Sequence, residues 1–115
     1  MAKFRFVEWL LNWLIETRNF EFEWDHGNRS KSKFKHDVET IEVEEVFKLR
    51  LAIPLGIQIE PEVDEERLGI VGPTRDGRLL HIVFTLREGR VRPISGRPAH
   101  RNERIKYVKT LRQIP

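Results

Sequence analysis

The feature that most narrows what this chain can fold into is the stretch Leu79-Leu80-His81-Ile82-Val83-Phe84-Thr85-Leu86. A nearly continuous apolar run of this length reads as a central strand covered on both faces. Arg87-Glu88-Gly89 follows it as a short hairpin loop whose glycine accepts a positive φ. Val91–Arg97 is then the returning strand, closed by Pro98. Upstream, Arg67–Gly72 reads as a further strand, and Pro73-Thr74-Arg75-Asp76-Gly77 has the residues of a turn.

Around this core the periodicity changes. Residues 4–18 read as a helix with a narrow polar stripe of Arg5, Glu8, Asn12 and Glu16. Phe20-Glu21-Phe22-Glu23-Trp24 alternates like a half-buried strand, and Asp25 stands where a helix cap belongs. A short basic helix is expected over 26–36, carrying Arg29, Lys31, Lys33 and Lys35 between His26 and His36. A second helix is expected over 39–47 with Ile41, Val43, Val46 and Phe47 inward, and Leu49–Ile59 reads as an irregular or edge strand. Residues 60–66 are an acidic loop, and 100–112 a basic amphipathic helix burying Ile105, Val108 and Leu111. The expected class is α+β: helices on one face of a mostly antiparallel sheet, the other face partly open.

Charge is unevenly spread. Residues 1–66 carry nine Lys or Arg against fifteen Asp or Glu, whereas 67–115 carry twelve against three, ten of the twelve being arginine. Arginine binds phosphate through a planar fork, so the second half is a candidate polyanion surface. The 115 residues suit one domain. Cysteine is absent, which removes disulfides, thiolate metal sites and cysteine nucleophiles, and favours a cytoplasmic location. Val7–Ile15 is too short to span a bilayer and lacks a cleavage site, so no membrane role is expected.

Two segments resemble a known family. Phe22-Glu23-Trp24-Asp25 with Lys35-His36 is similar to the opening signature of the BrnT ribonuclease toxins. Arg90-Val91-Arg92-Pro93-Ile94-Ser95-Gly96-Arg97-Pro98-Ala99, then Glu103-Arg104 and Tyr107, resembles that family's Arg-x-Arg-x-Ile-Ser-x-Arg-x-Ala…Glu-Arg…Tyr block. The likeness covers about residues 20–108. It implies a RelE-like fold, cleavage of RNA, and a ribbon-helix-helix antitoxin partner. The chain departs from the family pattern at Asn28, Ser32, Asp37 (usually glycine) and Pro93, and residues 1–19 are additional.

Metal-independent RNA cleavage needs a base for the 2′-hydroxyl, an acid for the leaving oxygen, and cations for the phosphorane. Arg92 and Arg97 are the first candidates for the cations. Five apart on one strand, they face opposite sides unless a bulge intervenes, whereas Arg90 and Arg92 share a face. His36 is a candidate acid or base and equally a helix-capping residue; Glu103 is an alternative base or an ion-pair partner on its own helix. Arg67, Arg90, Lys35, Arg101 and Arg104 are candidate RNA contacts, and Tyr107 either stacks on a base or closes the core. Arg67 has Glu65 and Glu66 as alternative partners, and His81 reads as a satisfied core residue. His100-x-x-Glu103 has ligand spacing without further ligands, so neither metal nor cofactor is expected. The competing readings are a toxin-like domain that binds without cleaving, and an interaction module using residues 4–18 for a homodimer or antitoxin contact.

Overall fold

The computed structural model describes residues 2–30 and 36–113. Five strands form one antiparallel sheet in chain order: β1 (Lys3–Arg5), β2 (Ile53–Glu60), β3 (Leu68–Pro73), β4 (Leu79–Arg87) and β5 (Arg90–Pro98). The described residues add three helices, α1 (Glu8–Glu16), α2 (Thr40–Lys48) and α3 (Arg101–Arg112). The α+β class holds.

β4 is buried along most of its length, as its apolar run requires. Leu80, Ile82 and Phe84 face α1 and α2, where Leu10, Val43, Val46 and Phe47 meet them in the main core. Aromatic rings fill its centre: Phe47 lies edge-on to Phe84 at 5.0 Å and Trp13 stacks on Phe84 at 5.9 Å. Alternation sends His81, Val83 and Thr85 to the opposite face.

That face is not free of helix, contrary to expectation. α3 packs there through Tyr107, which joins Ile53, Leu55, Val71 and Ala99 in a second cluster. Its hydroxyl donates to the Leu51 carbonyl at 2.7 Å. One buried residue suffices to seat this polar helix, so Ile105, Val108 and Leu111 stay 40–44% exposed rather than inward. Ile41 on α2 is likewise exposed, while Val43, Val46 and Phe47 are buried as expected.

The helix expected from residue 4 begins only at Glu8, because Lys3–Arg5 pairs with β2. Gly56 permits this. It has φ +127° at a bulge in β2, and a Cβ there would stand 1.8 Å from the Arg5 carbonyl oxygen. β2 is therefore an interior strand, not an edge. Phe20–Trp24 makes no ladder; Phe22 forms a single parallel bridge to Val91, while Phe20, Phe22 and Trp24 pack against the main core. Asp25 accepts the Gly27 N–H at 2.7 Å through Oδ1, but residues 26–30 are turns and not the helix expected there. The rest of the basic helix expected there, Lys35 included, lies outside the described residues apart from His36.

Glu88 and Gly89 both take positive φ, giving a two-residue hairpin whose twist matches the flanking strands. Further along β5, Ser95 pairs with Val83 and Pro93 with Phe84, so Ile94 is an extra residue. This bulge inverts the parity beyond it. Arg92 and Arg97, opposite Thr85 and His81, consequently share a face. Pro93 sits at the bulge on an outer strand, where a missing N–H is tolerated.

Candidate functional site

β5 ends at Pro98, and α3 begins after two intervening residues, which brings the first turn of α3 back over the end of the strand. Glu103 in that turn receives the Arg97 guanidinium at two points, both 2.8 Å. The same carboxylate accepts the His100 N–H at 2.7 Å, and Arg97 also donates to the Pro98 carbonyl at 3.1 Å. Burial alone raises the Glu103 pKa, but the hydrogen bonds from Arg97 and His100 outweigh it and hold the carboxyl at about 2.

These groups stand at a cleft of about 370 Å³ on the face opposite α1 and α2. Gln58, Arg67, His81, Ser95, Arg97 and His100 supply its polar lining, and Ala2, Pro61, Val83 and Ile94 its apolar walls. His81 is 2% exposed, with Nε2 3.9 Å from Glu103. Burial pushes its pKa down to about 4 against the pull of Glu103, so the ring is neutral at pH 7. Among the described residues neither ring nitrogen has a hydrogen-bond partner, and neither does the buried Nε of Arg67. His81 is thus buried, as the sequence suggests, but not satisfied. Glu65 pairs with Arg87 instead of Arg67.

The other expected residues are dispersed. Arg92 is held by Asp25 at 2.8 and 3.2 Å and by Glu23 at 3.3 Å. Hydrogen bonding to Arg92 lowers the Asp25 pKa, and the same bond raises that of Arg92. Arg90 pairs with Glu23 and Glu88. Arg92 and Arg90 therefore share a face, and their partners are carboxylates. Nearby, the buried Asn28 donates to the Glu23 and Pro93 carbonyls, fastening residues 23–28 to β5.

His36 does not line the cleft; its carbonyl accepts from Arg78 at 3.1 Å at the approach to α2. Arg101 and Arg104 are exposed on α3. Tyr107 is 8% exposed and hydrogen-bonded, its pKa raised by burial, so it closes the core rather than presenting a ring to a base. Of the expected set, the structure joins Arg97 and Arg67 at one cleft, with Glu103 bonded to Arg97. It adds His81, His100, Ser95 and Gln58, whose convergence depends on strand register and was visible in no local motif.

Among the described residues no group of three His, Cys, Asp or Glu stands where it could hold a metal ion. No described helix is long and apolar enough to cross a membrane. No curated protein gives a significant match to the chain. Residues 24–103 match the family of ribonuclease toxins, BrnT, of type II toxin–antitoxin systems. That span begins just before Asp25, runs through β5 and ends at Glu103, so it contains most of the cleft and the Arg92–Asp25 pair. The chain belongs to the BrnT family of ribonuclease toxins, whose substrate is RNA and whose partner is an antitoxin.

Proposed function

We propose that the chain is an endoribonuclease that cuts RNA at the cleft beside Arg97, with side chains alone carrying the chemistry. The observation behind this reading is the two-point hold of Glu103 on Arg97 at the rim of a cleft that also contains Arg67. The bonds to Glu103 and Pro98 engage three of the five guanidinium N–H groups, which leaves donors for a phosphate. A cation preorganised in this way stabilises the phosphorane without reorganising during the reaction.

Glu103, with a pKa near 2, is too weak a base to take the 2′-hydroxyl proton; its work is to aim Arg97. His100 lines the cleft next to Arg97 and is the better candidate for proton transfer, in place of the distant His36. Arg101 and Arg104 extend the cationic track along α3. Arg92 holds residues 23–28 in position instead of touching the substrate.

In this reading the fold is RelE-like, the protein acts in the cytoplasm, and its antitoxin is a ribbon-helix-helix protein. Phe6 and Ile15, 56% and 67% exposed, flank a groove of about 580 Å³ between α1, β2 and α3, which suits an antitoxin contact or a homodimer. The test is cleavage of a defined RNA in EDTA. Wild type is expected to cut, and Arg97→Ala to lose about a hundred- to thousand-fold in rate. A folded Arg97→Ala protein that cuts at the wild-type rate refutes the assignment.

A further inference from the structure

His81 and Arg67 present an anomaly that cleavage chemistry does not absorb. Both ring nitrogens of His81 and Nε of Arg67 are buried with no hydrogen-bond partner among the described residues. Buried donors and acceptors left unpaired are costly, and folded proteins seldom keep them without a use. Both residues line the same cleft as Arg97, and His81 is buried at its wall.

We propose that this part of the cleft is a nucleobase pocket, in which His81 and Arg67 read the polar edge of one RNA base while Arg97 holds its phosphate. The proposal rests on the assignment of the cleft as the RNA site. A neutral imidazole offers one donor and one acceptor, and Arg67 Nε adds a donor. Together they complement a base edge on which acceptors and donors alternate. A phosphate fits this part poorly, because His81 carries no charge at pH 7 and the Glu103 carboxylate lies 3.9 Å from its Nε2. Val83, Ile94 and Pro61 supply apolar wall for the flat faces of a base, and about 370 Å³ lies within the range of small-molecule sites.

One aromatic ring packs against His81 itself. Phe4 on β1 stands edge-on to the imidazole, ring centres 5.5 Å apart, and rests on Gly69, where even a Cβ would come within 2.6 Å of the ring. In the proposal, a shift of this ring gives a base access to the imidazole nitrogens.

The experiment follows the His81 ring nitrogens by NMR in the full-length protein as each of the four nucleoside 3′-monophosphates is added, with inorganic phosphate as control. At least one nucleotide is expected to move the His81 signals, with roughly tenfold preference over the weakest, and inorganic phosphate to leave them in place. Phe4→Ala is expected to tighten that nucleotide about tenfold, and His81→Phe, which removes the unpaired nitrogens, to level the four affinities. His81 signals that no nucleotide moves, or that inorganic phosphate moves equally, overturn the pocket. If His81→Phe does not fold, the wild-type titration and Phe4→Ala still decide. A wild-type protein that shifts His81 with a nucleotide yet cuts no RNA supports the pocket and sinks the catalytic assignment instead.

Discussion

Replacing Glu103 with glutamine tests how the site is held together, because it removes one charge and changes little volume. The carboxyl falls from 4.5 in the unfolded chain to about 2 in the folded protein. At about 1.36 kcal/mol per pH unit, the full effect is roughly 3 kcal/mol. Glu103 keeps 18% of its side-chain surface in water, and its partner Arg97 the same fraction, so screening reduces this to about 1–2 kcal/mol. In a domain of this size that lowers Tm by roughly 4–10 °C at pH 7. The sign follows from a depressed folded pKa: the stabilisation is complete above pH 4.5 and is lost as pH falls towards 2. Urea unfolding of wild type and Glu103→Gln at pH 7, 5, 4 and 3 should show a gap that narrows only below about pH 4.5. Equal stabilities at pH 7, or a gap unchanged at pH 3, would refute the claim that Arg97 and the His100 N–H hold an ionised Glu103.

Leu10→Ala should cost about 2–5 kcal/mol in denaturant unfolding, because Leu10 is fully buried in the main core; deletion of residues 1–18 should accordingly unfold the domain instead of trimming an appendage. Gly56→Ala should release β1, read as faster amide exchange within residues 3–5 with the core amides unchanged. Arg92→Ala should speed exchange of the Glu23 amide, which donates to Val91, while leaving the hydrogen bonds of β4 protected; uniform protection would mean that the clamp holds nothing. RNA affinity should fall log-linearly with salt, and a flat profile would exclude phosphate gripping by the basic half.

What could be read from the sequence was local. The apolar run at 79–86, the hairpin at 88–89 and the turn before β4 each depend on neighbouring residues, and each lies where its pattern puts it. The helix over 40–48 is equally legible, although its β-branched residues suit a strand almost as well. β1 was hidden because its three residues belong to an apolar stretch that also reads as helix, and a glycine more than fifty positions away decides between them. The inward face of α3 turned on Tyr107, since the Ile105, Val108 and Leu111 pattern is regular but has nothing to pack on. In the site, the pairing of Arg97 with Glu103 was visible only as nearness in sequence, and the bulge at Ile94 that puts Arg92 and Arg97 on one face was marked only by the neighbouring Pro93. Asp37 is a departure that the backbone explains: its φ of +54° is left-handed, where the family's usual glycine is unstrained and aspartate is tolerated.

The bridge from Phe22 to Val91 bears on how the free protein avoids its own kind. A five-stranded open sheet has two borders, and each is a template on which another chain can add a strand. The β1 border is only three residues long. Along the β5 border, the Val91 N–H and carbonyl are taken by Glu21 and Glu23, Pro93 has no N–H to offer, and Asn28 occupies the Pro93 carbonyl. From 91 to 93 nothing remains for a foreign strand. A toxin released from its antitoxin is thereby guarded against edge-to-edge aggregation over that stretch, and a strand added to the sheet must start elsewhere on its borders.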